Sequence, residues 1–278
     1  MTAPHPALFI GHGSPMLAIE PGEYSQAWTR IGRALPRPRA ILAISAHWYT
    51  RGTAVTAMQR PKTIHDFYGF PDALYQVQYP ARGDAALAAR VRELLEPTQV
   101  LADTQEWGLD HGTWSVLRYL YPDADVPVVQ LSMDGTLPAA AHLALGERLA
   151  PLRSEGVLVL GSGNVVHNLR ALDRAGQGRG DARAVAFDGW VRSAVLAGDH
   201  ASLADYASTG DAARWSVPTP DHYLPLLYVL GTQQPGEPVS FPVQGFDLGA
   251  LSMLSVQLGG AVAETRGSSP AQLASQKQ

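Results

Sequence analysis

Ala40-Ile-Leu-Ala-Ile-Ser-Ala-His-Trp48 (AILAISAHW) opens with five apolar residues and then turns abruptly small and polar. A strand with one wet face alternates apolar and polar residues. An uninterrupted apolar run instead predicts a strand covered on both faces, as in a parallel or mixed central sheet. Three other stretches read the same way: Ala7–Ile10 (ALFI) runs into Gly11-His12-Gly13-Ser14-Pro15, Val126–Leu131 (VPVVQL) into Ser132-Met133-Asp134, and Val157–Leu160 (VLVL) into Gly161-Ser162-Gly163-Asn164. Between them, Asp84–Leu95, Ala139–Leu152, Ala182–Ala197 and His222–Leu230 carry apolar residues on a helical period. Strands alternating with helices give an α/β fold: a single domain whose central, mostly parallel or mixed sheet is flanked by helices. Ligands of such sheets gather beyond the carboxyl ends of the strands, where several histidines fall.

Composition narrows the class. The 278 residues are 46% hydrophobic and 17% charged, with 25 acidic against 21 basic side chains for a net charge of −4. That is ordinary for a globular chain and unlike a disordered one. It also lacks the concentrated positive face that nucleic acid or an anionic membrane requires. No apolar run reaches the ~18 residues of a spanning helix, and Met1–Pro15 does not read as a signal peptide. A cytoplasmic protein is expected, with no nucleic-acid or membrane partner. Cysteine is absent, which excludes disulfides, thiolate metal sites and a cysteine nucleophile. Arg174–Asp181 (RAGQGRGD) reads as a surface loop. Residues 1–264 read as one domain and 265–278 as a flexible C-terminal tail. Pro61–Pro80 combines three prolines with five aromatic residues. It reads either as an aromatic wall to a pocket or as a stiff connection packed on the core.

Nine histidines are available for chemistry. His5 (N-terminal tail), His142 and His200 (helix-like settings) have no chemical context. His12 and His47 follow apolar strands among small neighbours, which let a metal or substrate approach the backbone. His167 follows a strand and a Gly-Ser-Gly turn, His222 sits in PTPDHYLP (Pro218–Pro225), and His111 in EWGLDHGTW (Glu106–Trp114). No local zinc motif joins them, so a shared site has to be assembled by the fold. Imidazole ligands would suit Zn, Fe, Ni or Cu, and three would leave coordination positions open, as in a catalytic site. Histidines that cap strand ends by hydrogen bonding account for the same pattern equally well. Neither a dinucleotide fingerprint nor a phosphate loop is present, and Gly161-Ser162-Gly163 is not a nucleophile elbow.

Seven motifs break the tie: GHGSP (Gly11–Pro15), SAHW (Ser45–Trp48), TIHDFYGFP (Thr63–Pro71), LDHGTW (Leu109–Trp114), PVVQLS (Pro127–Ser132), GSGNVVHNL (Gly161–Leu169) and PTPDHYLPLL (Pro218–Leu227). In this order, from about Leu8 to Gly259, they closely resemble the DODA-type extradiol aromatic ring-opening dioxygenases of the class III extradiol superfamily. The resemblance implies one divalent metal ion per chain, held by His12, His47 and His222 at the strand C-terminal ends. His167 is implied as the acid–base residue or a fourth ligand, His111 as a substrate-facing proton-transfer residue, and His65 as a further pocket-lining one. It further implies insertion of both atoms of O2 into a catechol, DOPA-like or otherwise substituted, to give a muconic semialdehyde. Fe(II) is expected for turnover, with Zn(II) as an alternative bound ion. The protocatechuate-type β subunits place a glutamate where His222 stands here. A zinc-dependent hydrolase on the same scaffold, or a metal- or ligand-binding protein without turnover, are the competing expectations.

Overall fold

The computed structural model describes residues 3–173 and 179–260. The start of the expected loop at Arg174 and the whole expected tail from Thr265 lie outside them, as does the expected domain boundary at residue 264.

Eight strands form the central sheet: β1 (Ala7–Gly11), β2 (Ala40–Thr50), β3 (Thr53–Thr56), β4 (Val100–Asp103), β5 (Val128–Asp134), β6 (Val157–Gly163), β7 (Val239–Val243) and β8 (Ser255–Leu258). Their order is β4-β3-β5-β2-β6-β1-β8-β7. The four central strands β5, β2, β6 and β1 run parallel, while β3 meets β5, and β8 meets β1 and β7, antiparallel. The sheet is therefore mixed, with a parallel centre.

The apolar runs are continuous because both faces are covered. Ala7, Phe9, Leu42, Ile44, Val129, Leu131, Val157 and Val159 point into one core. That core is completed by helices α2 (Ala85–Leu94), α4 (Ala139–Leu149), α5 (Ala182–Ala197) and α6 (Leu224–Gly231). The alternating set Leu8, Ile10, Ile41, Ala43, Val128, Leu158 and Leu160 points into a second core under α1 (Glu23–Ala34) and α3 (His111–Leu120). Asp84, expected inside a helix, is instead the cap of α2, its carboxylate accepting from the Leu87 N–H at 2.9 Å. The helix expected over Ala139–Leu152 stops at Leu149, because Pro151 opens a separate turn over Pro151–Ser154. The stretch expected to be helical from His222 becomes helix only at Leu224, leaving His222 in the preceding turn.

The histidines without chemical context have structural partners. His5 is buried rather than in a free tail, with ring nitrogens on the Pro6 and Pro36 carbonyls at 2.9 Å each. His200 meets the Gln233 amide oxygen. His142 is fully buried on α4, its Nδ1 3.1 Å from the Tyr228 hydroxyl, and burial pushes its pKa down to about 4. The folded value lies below the unfolded one, so the unfolded chain takes the proton first as pH falls. Stability is complete above about pH 6.5 and is lost from there towards pH 4, by on the order of 3 kcal/mol for this group. In His142→Gln, the drop in unfolding free energy between pH 7 and pH 4.5 should shrink by about 2 kcal/mol. An unchanged drop in urea titrations would refute the assignment.

Candidate metal centre

Two close approaches assemble the site at the carboxyl edge of β1, β2 and β6. At Gly163 a Cβ would stand 2.2 Å from the His222 carbonyl oxygen. Only glycine lets the turn before α6 lie across the end of β6, where the Asn164 N–H donates to that carbonyl at 2.9 Å. At Gly112 a Cβ would stand 2.5 Å from Ser45 Oγ and 2.8 Å from His47 Cδ2, so the first turn of α3 passes directly over β2. β2 continues beyond its expected end, and its pairing with β5 shifts register between Ile44 and Tyr49. His47 lies inside this irregularity, which re-aims side chains at a strand end.

The rings of His12, His47 and His222 form a near-equilateral triangle, with centroids 5.1 Å (His12–His47), 5.3 Å (His12–His222) and 5.1 Å (His47–His222) apart. One ring nitrogen from each lies within 4.8 Å of the others, a set that could hold a metal ion. His167 stacks on His222 with centroids 3.4 Å apart and planes 4° from parallel; its nitrogen groups with Asp221 and His222 rather than with the triangle. His111, the first residue of α3, lies 3.9 Å from His47 between ring centroids. His65 stands apart from the triangle. Its Nε2 is 2.9 Å from the Val77 carbonyl, and its ring meets Phe67, Tyr75 and Trp114.

The outward side of each triangle ring has a partner. His12 Nδ1 lies 3.0 Å from Ser162 Oγ, whose hydroxyl donates to the Gly112 carbonyl at 2.6 Å. Ser162 therefore accepts from His12, which puts the proton on Nδ1 and a lone pair on Nε2. His222 Nδ1 is hydrogen-bonded to the Asp221 carboxylate, with the same consequence. His47 Nδ1 faces the Asp66 carboxylate at 3.2 Å. Inside the triangle, His12 Nε2 and His47 Nε2 stand 3.3 Å apart. Burial, and then the neighbouring imidazoles, depress His12 and His222 far below the ordinary histidine value. Burial, then His111, takes His47 down to about 3, and burial takes His167 to about 4. Neutral imidazoles with converging lone pairs are a donor set for a borderline transition metal.

Several contributors carried no signal in the sequence. Asp66 bridges His47 and His111; burial works to raise its pKa, but the bond and charge of His111, with His47, hold it at about 2. Asp110 is fully buried at the cap of α3, accepting from the Thr113 N–H at 3.1 Å and from the Gln130 side-chain amide. Burial, and next the charge of Asp66, raise its pKa to about 6. Gln130 also accepts from the Thr113 hydroxyl at 3.0 Å, so this network braces the helix start that carries His111. In the Pro61–Pro80 segment, Phe67 packs among Phe70, Tyr75 and Trp114, as the core-packed reading expects, and sets its ring edge-on to His111 at 5.5 Å.

Residues 6–242 match the family of the catalytic LigB subunit of aromatic ring-opening dioxygenase. The chain belongs to this family. A 4,5-DOPA dioxygenase extradiol from Escherichia coli (strain K12) is 51% identical over 257 residues, covering 91% of this chain and 94% of that protein. One of the same name from Beta vulgaris is 38% identical over 228 residues, covering 80% of this chain and 85% of its own. The crystal structure of an uncharacterized Escherichia coli K12 protein superposes with a TM-score of 0.81 at 46% identity, covering 92% of this chain and all of that one. The protein is thus an extradiol ring-cleaving dioxygenase, an oxidoreductase that adds O2 to a catechol, and the family implies a single metal ion. Among the described residues, no helix is long and apolar enough to cross a membrane.

Proposed function

We propose that His12, His47 and His222 hold the metal ion, that Fe(II) is the ion of turnover, and that the substrate is a DOPA-like or similarly substituted catechol. The convergence within 4.8 Å of nitrogens from three imidazoles, two buried and one half-buried, carries the reading. Ser162 takes the His12 proton, and with the Nδ1–H of His47 turned to Asp66 the two Nε2 lone pairs would meet at 3.3 Å, an arrangement that a cation between them would relieve. Relatives named 4,5-DOPA dioxygenase extradiol support the substrate.

When bound, Fe(II) supplies Lewis acidity towards the catechol oxygens and electron transfer towards O2; Zn(II), without redox chemistry, gives a resting form. The rest is done by the chain. Three neutral imidazoles bring no negative charge, so the site favours an anionic, chelating catecholate. His167, kept neutral at pH 7 by burial and held flat against His222, takes a catechol proton and returns it as the ring opens. His111 faces the substrate from the start of α3 and assists that transfer. Phe67 shapes the wall beside His111, and His65, with Nε2 engaged by the Val77 carbonyl, lines the wall through its ring.

Metal-stripped protein reloaded anaerobically with Fe(II) should consume O2 with DOPA and give a new visible absorbance. The Zn(II) form should be at least about 10³-fold slower. Equal rates with the two metals would refute the iron assignment. Turnover confined to catechols without an amino-acid side chain would refute the DOPA-like substrate.

A further inference from the structure

We propose that Asp66 is a positioning residue that fixes the tautomers of His47 and His111 together. It turns the Nε2 lone pair of His47 towards the metal and that of His111 towards the substrate. The inference rests on the roles given above to these two histidines.

The carboxylate is clamped before it meets either ring. Its Oδ1 accepts the backbone N–H of His111 at 2.8 Å, at the first residue of α3. The other oxygen, Oδ2, then lies 3.0 Å from His111 Nδ1 and 3.2 Å from His47 Nδ1. Neither contact has the angle of a full hydrogen bond, and His111 Nδ1 is buried with no other partner, but a ring nitrogen bearing a lone pair would be repelled by a carboxylate oxygen at these distances, so each Nδ1 carries the proton. A neutral imidazole has one such proton, which leaves Nε2 an acceptor in both rings. In His47 this is the atom that faces His12 Nε2 at 3.3 Å. In His111 it makes the ring a proton acceptor for a substrate hydroxyl, not a donor to it. The Asp66 side chain is only 17% exposed, so water competes weakly for either ring.

The bland alternative is that Asp66 merely ties the Pro61–Pro80 segment to α3 through its Oδ1. Asp66→Asn separates the two. The amide oxygen can still accept from the His111 N–H and preserve the tie, but its NH2 group then faces both Nδ1 atoms and calls for lone pairs there. Long-range ¹H–¹⁵N correlation of the metal-free protein, labelled in histidine, should show His47 and His111 protonated at Nδ1 in the wild type and at Nε2 in Asp66→Asn. Zinc affinity by chelator competition should weaken about 10- to 100-fold, the range for loss of a partner behind a metal-ligating histidine. The thermal midpoint should stay unchanged, and Asp66→Glu should recover part of the zinc affinity.

Unchanged tautomers with zinc affinity within threefold of wild type would overturn the assignment. So would an Nε2–H tautomer on either ring of the wild-type protein, a result that stands even if Asp66→Asn fails to fold. Both readouts are made without turnover. Failure of the wild type to consume O2 would therefore count against the functional reading alone.

Discussion

Replacing His12 and His47 together by alanine is expected to take metal binding from one equivalent per chain to none and to lower turnover by at least about 10³-fold, a small part of what enzymes typically supply. Two of the three converging nitrogens disappear, and His222 alone cannot hold the ion against free chelator. The loss should be local. His12 is buried and His47 half-buried at a strand edge, where the tautomers proposed above would set two lone pairs 3.3 Å apart in the apoprotein. Without metal, the variant should therefore unfold close to the wild-type midpoint. With metal at about a hundred times its dissociation constant, the wild type should gain about 2.7 kcal/mol and the variant nothing. Persistent stoichiometric binding in the variant would put the metal elsewhere.

Much of this arrangement could be read in the sequence, for a definable reason. Strands buried on both faces write continuous apolar runs, so β1, β2, β5 and β6 announce themselves, and a histidine just beyond such a run points to the ligand-binding edge. β7 and β8 have weaker patterns, and they join the sheet through β1, on which β8 pairs. α3 is buried along nearly all its length, so no clean polar stripe marks it as a surface helix. Asp221, the partner of His222, stands next to it in the chain, but the partners of the other two rings were illegible because they meet over long chain separations. Ser162 reaches His12 across 150 positions, and Asp66 reaches the His111 N–H across 45. Nothing in TIHDFYGFP or GSGN states that a carboxylate or hydroxyl will stand behind a ring. Gly163 looked like part of a turn and Gly112 like one more small residue beside a histidine, whereas their role is to admit the His222 carbonyl and His47 at distances that any side chain would forbid.

The second large effect lies far from the chemistry. Arg153→Met should destabilise the fold by about 3–5 kcal/mol while leaving metal stoichiometry unchanged in the protein that remains folded. Arg153 is buried in the turn that Pro151 opens, with its side chain wholly out of solvent. Its Nε donates to the His5 carbonyl at 2.8 Å, and Nη1 donates to the Thr232 carbonyl at 2.8 Å and to Glu237 at 2.7 Å. Nη2 bonds the other Glu237 oxygen. One guanidinium thus ties the chain before β1 to the end of α6 and the approach to β7. Removing it strands a buried carboxylate and two carbonyls, and the cost comes from those orphaned groups more than from the lost attraction. The double variant Arg153→Met/Glu237→Leu should therefore be more stable than Arg153→Met alone, because the second substitution removes the unpaired charge. If the two losses simply add in urea titrations, the pair is not acting as a unit and the carbonyl contacts carry the stabilisation.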